Sequence, residues 1–273
     1  MEKIIVPLDF SEQSENALKV AAQLAKEHNS EILAVHMLEL NYNMISSSEG
    51  FHPEQTVFLI KLAEKRFSEF LKKDYLKGIT VTPIIKHYKV FSEINTIAKD
   101  TGAELIVMGS HGTDGLEEFF VGSNTERVVR NADIPVLVIK ENFDNFKVDR
   151  FVFASNFNVE KLSAFKKAQQ FAKLLTAEMK LVYINTPGDN FMSTEDIYQR
   201  INTFLATANA SDEVKIYNDY TVENGILNYS KSIAADIIAI PTHGRTGLSH
   251  FFMGSIGEDV ANHSPIPVVT FKI

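Results

Sequence analysis

The stretch that decides the fold reads ELIVMGSHG at residues 104–112 and, after nine further residues, GSNT at residues 122–125. Its apolar beginning, residues 104–108, is typical of a buried strand, and residues 125–131 predict a short helix. A glycine-rich loop between a buried strand and a helix start can turn its backbone N–H groups toward an anion. The sequence therefore predicts a candidate phosphate site here.

The same arrangement returns near the end of the chain. Residues 241–244 read PTHG, and GS follows at residues 254–255 after the same spacing of nine residues. A repeat of about half the chain indicates a duplication, since the repeats of solenoids are only ~20–50 residues long.

Strands and helices alternate in both halves. The predicted strands are residues 3–8, 31–37, 79–85, 104–108 and 134–139, then 150–155, 179–185, 214–217, 237–240 and 266–272. The predicted helices are residues 12–28, 53–78, 91–100 and 125–131, then 162–175, 193–208 and 222–234. This order indicates α/β architecture with two Rossmann-like doubly wound domains, each a parallel sheet with helices on both faces. We expect the domains at residues 1–140 and 150–273, with residues 141–149 as the linker.

Composition narrows the class of protein. The 273 residues are 45% hydrophobic with a net charge of −8, so the basic excess of a nucleic-acid-binding chain is absent. There is no cysteine, which excludes disulfides and zinc–thiolate sites. No apolar run approaches the ~18 residues of a membrane span, and the first apolar run is too short for a signal peptide. We expect a cytoplasmic protein without membrane or nucleic-acid partners.

Two interpretations of the glycines compete. Gly109, Gly112 and Gly122 either let the backbone approach a phosphate or only turn the chain from strand to helix. Hydroxyls of Ser123 and Thr125 at a helix start, where the dipole favours an anion, support the first interpretation. The absence of a following Gly-Lys-Ser/Thr excludes a P-loop, and the glycine spacing is not that of a dinucleotide fingerprint.

Asp9 ends the first strand, and if the first and fourth strands are neighbours it faces the same crevice. It either accepts hydrogen bonds from a ribose or serves as a helix-start carboxylate. Pro7 and Val35 would then line the crevice or belong to the core.

Other polar residues near the loop suggest no catalysis. His111 and His243 share a motif position, but no second ligand stands at metal spacing from either. Asp114, Glu117 and Glu118 fit solvated loop charges better than a magnesium site. No nucleophile elbow, catalytic triad or pair of acid–base carboxylates is legible, so we expect no metal site, no catalytic residues and, on balance, no enzyme.

With these residues in view, the chain resembles a tandem universal stress protein of the UspA family. Residues 109–123 match that family's Gly-x-x-Gly, nine residues, Gly-Ser/Thr motif, and the opening residues 5–11 match its first strand. The sequence HGRTGL at residues 243–248 is similar to the usual loop sequence of that family. The resemblance covers both halves nearly end to end.

The resemblance implies a five-stranded sheet of order 3-2-1-4-5 in each half. It implies fifth strands that pair, here residues 135–140 with 266–272, in an intramolecular pseudo-dimer, with a further homodimer as an option. It implies ATP, ADP or AMP as ligand, with Mg²⁺ accompanying the nucleotide as an option. The implied adenine, ribose and phosphate contacts are Pro7, Leu8, Asp9, Val35, Met108, Gly109, His111, Gly112, Gly122, Ser123, Asn124 and Thr125.

The second half departs from this pattern at three positions. Asn156 stands where Asp9 does, Ala154 where Pro7 does, and Pro241 where Gly109 does. We therefore expect an ATP-binding regulator of the stress response whose second half binds weakly or not at all. A slow ATPase or phosphotransferase, and a nucleotide-free scaffold, remain the alternatives; the protein partner is not specified by the sequence.

Overall fold

The computed structural model describes residues 1–38, 53–87, 90–110, 123–188, 191–242, 260–261 and 263–273. The strands in these ranges are β1 (Lys3–Pro7), β2 (Glu31–Leu38), β3 (Val81–His87), β4 (Leu105–Gly109), β5 (Val136–Ile139), β6 (Arg150–Ala154), β7 (Glu178–Asn185), β8 (Val214–Asn218), β9 (Ile237–Thr242) and β10 (Val268–Lys272). The helices are α1 (Glu12–His28), α2 (Pro53–Phe70), α3 (Val90–Thr101), α4 (Ser123–Asn131), α5 (Leu162–Leu174), α6 (Thr194–Ala208) and α7 (Val222–Ser232).

All ten strands form one sheet of order β3-β2-β1-β4-β5-β10-β9-β6-β7-β8. Neighbouring strands are parallel within each half, so each half has the predicted order 3-2-1-4-5. The halves meet where β5 and β10 run antiparallel, with Val138 opposite Val268 and Val136 opposite Thr270. The predicted pairing of the two fifth strands is therefore present within the chain.

Helices cover both faces of the sheet, and the two faces are packed differently. On one face α1, α2, α5 and α6 share a continuous apolar layer that crosses the β5–β10 junction, which we call the shared core. On the other face, α3 and α4 pack on a first-half core that includes Val35, Met108 and Val138. A separate second-half core lies under α7. Apolar residues on both faces explain why the strands show little alternation in sequence.

Left-handed backbone recurs at matched positions of the two halves. Phe10 and Phe157 each follow the last residues of their first strand, Asn29 and Thr176 end the first helices, and Gly102 and Ala234 precede the fourth strands. The φ angles are 67° for Phe10 and 50° for Phe157, 52° for Asn29 and 53° for Thr176, and 71° for Gly102 and 50° for Ala234. The two halves therefore share left-handed backbone positions as well as the order of their strands and helices.

The starts of α1 and α5 differ. Ser11 caps α1 as its sequence suggests, because its side chain accepts the N–H of Ser14 at 3.2 Å. In the second half a 3-10 turn, Val159–Lys161, precedes α5, and no side chain caps that helix. The second half therefore enters its first helix by a different route.

The segment expected to be a linker packs against α1. The Gln23 side chain donates to the carbonyl of Phe143 at 3.2 Å and accepts the N–H of Phe146 at 2.6 Å. Lys19 donates to the Asn142 side chain at 3.0 Å, and Val148 is buried in the shared core. These contacts fix the connection between the halves on the surface of α1.

Helix α2 differs from its prediction at its end and on its apolar face. It ends at Phe70, well before Gly78, because a 3-10 turn at Asp74–Leu76 intervenes before β3. The apolar stripe that the sequence predicts for this helix includes Val57 and Leu62, and both side chains are exposed in the structure. Among the described residues, α2 packs on β2 and β3 at the edge of the sheet and buries a narrow stripe that includes Ala63 and Phe67.

No helix among the described residues is both long and apolar enough to cross a bilayer.

Candidate functional site

Three strand ends meet at one edge of the first half. β1 lies between β2 and β4, with Pro7 opposite Val35 and Ile5 opposite Ile106. Beyond β1, the N–H of Leu8 still donates to the carbonyl of Val35 at 2.8 Å. Because parallel strands end at the same edge, this register gathers six of the predicted site residues, which are Pro7, Leu8, Asp9, Val35, Met108 and Gly109.

Asp9 holds the turn between β1 and α1. Its Oδ1 accepts the backbone N–H of Ser11 at 3.0 Å and the Ser11 hydroxyl at 2.5 Å. The described residues thus use only one carboxylate oxygen. Both sequence interpretations are compatible with this geometry, since Asp9 supports the helix start through Oδ1 and presents Oδ2 as an acceptor for a hydroxyl.

The apolar residues of the predicted site point to different faces of the sheet. Val35 and Met108 are buried together in the first-half core, the layer beneath α4. Leu8 is buried in the shared core on the opposite face. A ligand at this edge would therefore lie over Val35 and Met108 and meet Leu8 only through its backbone.

Gly109 has a packing reason for lacking a side chain. A Cβ at this position would lie 2.6 Å from the carbonyl oxygen of Gln13 and 2.7 Å from its carbonyl carbon. The first turn of α1 thus rests directly on the end of β4. Close approach of a helix, rather than a left-handed φ, requires glycine here.

The start of α4 lies over the same strand end. Thr125 is buried, and its hydroxyl donates to the carbonyl of Gly109 at 2.9 Å. Its side-chain donor is therefore committed to the protein, while the first-turn N–H groups of Ser123, Asn124 and Thr125 have no partner within the helix. The backbone of this turn is the better candidate to face an anion.

Part of the predicted site falls outside the described residues. His111, Gly112 and Gly122 belong there, as do Asp114, Glu117, Glu118, His243 and the glycines of the second loop. The side chain of Ser123 is not described either, although its backbone begins α4.

An aromatic cluster beside Asp9 is absent from the sequence predictions. The Phe10 ring lies 4.5 Å from the His36 ring and packs edge-on against Phe67 and Phe70. The Nδ1 of His36 lies 2.7 Å from the carbonyl of Leu8, and this nitrogen must donate because a carbonyl oxygen only accepts. The cluster ties the end of β2 to the turn that carries Asp9.

Lys140 is the charged residue at this edge that sequence reasoning missed. It directly follows β5, whose last residue, Ile139, lies opposite Gly109 and accepts the N–H of Ser110 at 3.0 Å. Burial lowers the pKa of Lys140 to about 8 from 10.5. The sequence does contain a signal that could have pointed to this residue, because a lysine stands at the matching position of both halves, Lys140 and Lys272.

The second half reproduces the backbone of this edge with different chemistry. The N–H of Ser155 donates to the carbonyl of Val182 at 3.2 Å, as Leu8 does to Val35. Asn156 takes the place of Asp9, and its Oδ1 accepts the N–H of Asn158 at 3.3 Å. The turn survives with a neutral amide, so this edge lacks the carboxylate of the first half.

Within the part of the chain that the structure describes, no group of three or more histidine or acidic side chains is arranged to hold a metal ion.

Comparisons with known proteins agree with this architecture. A model of the universal stress protein family matches residues 1–140 and again residues 147–272. Universal stress protein MJ0531 of Methanocaldococcus jannaschii is 31% identical over 140 residues, which cover 51% of this chain and 82% of that protein. Universal stress protein MJ0577 of the same organism is 31% identical over 153 residues, covering 51% of this chain and 94% of that protein.

A solved structure extends the likeness to both halves. The crystal structure of a universal stress protein from Archaeoglobus fulgidus covers 99% of this chain and 98% of its own, with a TM-score of 0.75. At 22% identity this likeness concerns the fold alone. Because the family model matches twice and accounts for nearly the whole chain, the protein belongs to the universal stress protein family.

Proposed function

We propose that the first half binds an adenine nucleotide, with ATP as the leading candidate and ADP or AMP as alternatives. The observation that carries the proposal is the meeting of Asp9, the end of β4 and the first turn of α4 at one edge. A ribose hydroxyl can donate to Oδ2 of Asp9, and phosphates can accept from the N–H groups that begin α4. His111, Gly112 and Gly122 stay in the proposal from the sequence motif.

The second half is the weaker site in this proposal. Asn156 presents an amide in place of the Asp9 carboxylate, and Pro241 has no N–H where Gly109 has one. The two halves, proposed as domains at residues 1–140 and 150–273, then bind one nucleotide per chain.

We further propose that nucleotide occupancy is a regulatory state of a cytoplasmic stress-response protein. Occupancy of the first half would act on the second through the shared core, which includes both Leu137 of β5 and Val269 of β10. Mg²⁺, if it takes part, would arrive with the nucleotide.

The test uses the full-length protein and two reciprocal variants. ATP binding is measured by equilibrium titration on the wild type, on Asp9→Asn and on Asn156→Asp. Asparagine keeps the Oδ1 acceptor, as Asn156 does in its own turn, so Asp9→Asn removes charge without removing the turn.

We expect one ATP per wild-type chain, an affinity about tenfold or more lower in Asp9→Asn, and no loss in Asn156→Asp. A wild type that takes up no adenine nucleotide, or Asp9→Asn that binds like wild type, would contradict the proposal. The mass of any nucleotide released on denaturing the purified protein identifies which of the three it carries.

A further inference from the structure

Helix α2 exposes apolar side chains on its outer face. Val57 is 49% exposed, Phe58 66% and Leu62 37%, and we call these three residues the α2 patch. Ala63 and Phe67 of the same helix are buried against the sheet. The apolar surface of α2 therefore continues beyond the side that its own core uses.

The equivalent helix of the second half has the ordinary pattern. α6 is aligned on α2 through the buried pair Phe67 and Phe204. The positions of α6 that correspond to the α2 patch are polar and exposed, and they are Thr194, Glu195 and Gln199. A polar outer face is typical of a helix that meets water, so the apolar outer face of α2 indicates contact with a partner.

A groove lies between α2 and β3, on the side of the helix next to the patch. Its volume is about 480 Å³, and it is lined by side chains of both elements, among them Glu64, Ser68, Pro83 and Ile85. At the positions of Glu64 and Ser68, α6 carries Ile201 and Leu205, and both are buried. Larger apolar side chains thus occupy these positions in the second half, whereas the first half leaves a groove.

The free edge of β3 is unsuited to pairing with a further strand. Ile32 lies opposite Val81 and donates its N–H to the carbonyl of Thr80 at 2.9 Å. Because backbone groups alternate in direction along a strand, those of Val81, Pro83 and Ile85 face away from β2. Pro83 has no N–H, so the row of donors on the free edge is interrupted there. A partner at this end of the sheet should therefore dock through α2.

The charges on the outer face of α2 complement themselves when two such helices run antiparallel. Lys61 and Glu64 lie one turn apart, and neither has an ion-pair partner in the described part of the chain. With a twofold axis between these two residues, each Lys61 lies opposite the Glu64 of the second copy. In the same register Val57 lies opposite Ser68, at the groove of the second copy. The spacing 57, 61, 64 and 68 has the alternating steps of four and three residues that packed helix pairs use.

We propose that α2 is the contact surface of a homodimer, in which the α2 helices of two copies pack antiparallel and each α2 patch covers the groove of the other copy. The fifth strands are not available for this association, because β5 and β10 pair with each other inside the ten-stranded sheet and have β4 and β9 on their other sides. The dimer does not depend on the proposed nucleotide binding.

Sedimentation equilibrium of the full-length protein measures the association. The wild type is compared with Phe58→Glu, which introduces the residue type that α6 carries at this position, with Lys61→Glu, with Glu64→Lys and with the double reversal Lys61→Glu/Glu64→Lys. Tyr198→Gln is the matched control, because it removes an exposed aromatic side chain from α6. Far-ultraviolet circular dichroism verifies that each variant keeps the helix content of the wild type.

We expect the wild type to form a dimer of two 30.6 kDa chains. Phe58→Glu and each single charge reversal should raise the dissociation constant at least about tenfold. The double reversal should return the dissociation constant to within about threefold of the wild type, since opposite charges then face each other in exchanged places. Tyr198→Gln should dimerise as the wild type does.

Three results would overturn the proposal. A wild type that stays monomeric at ~100 μM leaves the α2 patch to a different protein. A dimer whose dissociation constant is unchanged in Phe58→Glu uses another surface. A double reversal that dimerises no better than the single reversals rules out the antiparallel pairing of Lys61 with Glu64.

Discussion

The contact between Gly109 and α1 makes a quantitative prediction for Gly109→Ala. The added Cβ would lie 2.6 Å from the Gln13 carbonyl oxygen, whereas ordinary van der Waals contacts begin at 3.4 Å. The first turn of α1 must therefore move away by about 0.8 Å or β4 must bend by as much. Neither is easy, because Ala17, Leu18 and Ala21 of α1 are fully buried in the shared core.

Overpacking of this kind costs about 1–3 kcal/mol of unfolding free energy. At roughly 2–4 °C per kcal/mol for a chain of this size, the melting temperature should fall by roughly 2–12 °C. Urea titration followed by circular dichroism gives the free energy, and calorimetry gives the melting temperature. Removing the Gln13 side chain beyond Cβ, as Gln13→Ala, should not restore the stability of Gly109→Ala, since the clashing atoms belong to the backbone.

Pro241→Ala is the matched control, because a Cβ already exists at that position of the repeat. It should lose no more than about 1 kcal/mol, the usual effect of removing a proline ring from a compatible site. If Gly109→Ala remains within about 0.5 kcal/mol of the wild type, α1 yields freely and the packing explanation of Gly109 is wrong.

Three further predictions concern single groups. Ala234→Gly should raise the unfolding free energy by about 0.5–1 kcal/mol, because Ala234 has a φ of 50° at the position where the first half has Gly102. Gly102→Ala should lower the unfolding free energy by about 1–2 kcal/mol for the same reason. Urea titration measures both variants, and changes of the same sign would refute the role of left-handed backbone at this position. Thr125→Val should lower the unfolding free energy by about 1 kcal/mol, because the hydrogen bond from the hydroxyl to the Gly109 carbonyl is lost. Its ATP affinity should stay within about threefold of the wild type. A larger loss of affinity in an equilibrium titration would show that the hydroxyl contacts the ligand. Burial lowers the pKa of Lys140 from 10.5 to about 8. Between these two pH values the unfolded chain therefore holds a proton on Lys140 that the folded chain has lost. The contribution of Lys140 to the unfolding free energy consequently rises with pH in this range. The unfolding free energy of wild type relative to Lys140→Met should thus increase by about 1–3 kcal/mol from pH 7.5 to 10, and no change would refute the burial of this charge.

Much of the fold could be predicted because the relevant signals are local. Strands buried on both faces read as short apolar runs, and Ser11 caps α1 through neighbours only three residues away. The strand order came from the family resemblance and agrees with the observed sheet. Helix α2 was extended too far, since its end depends on a 3-10 turn and on the position of the sheet edge, and neither leaves a periodic pattern.

The binding site stays a prediction, and the structure adds physical reasons for its residues that the sequence did not supply. Sequence spacing located Asp9 and Gly109 and left phosphate approach and chain turning open as reasons for the glycine, and the structure adds a third reason, its close contact with Gln13 far away in the chain. Lys140 was missed because its altered pKa arises from burial at the edge of a sheet, which only the assembled strands create. Contacts between distant residues thus decide what each motif residue does.

The differences between the halves follow from how α1 and α5 begin. In the first half a capped helix starts at once and rests on the end of β4, which requires Gly109. In the second half the intervening turn at Val159–Lys161 changes the entry into α5, and Pro241 occupies the corresponding place in β9, opposite Phe271. A residue with a ring fits there only if the helix start does not press on the strand.

The proline in place of the motif glycine is therefore compatible with the altered helix start. Asn156 keeps the hydrogen bond that forms the turn and gives up the charge, so the second half retains its folded backbone without the carboxylate. The shared core and the β5–β10 pairing do not depend on either residue. Duplication thus allowed the second half to vary at its edge while still supplying the strand that pairs with the first.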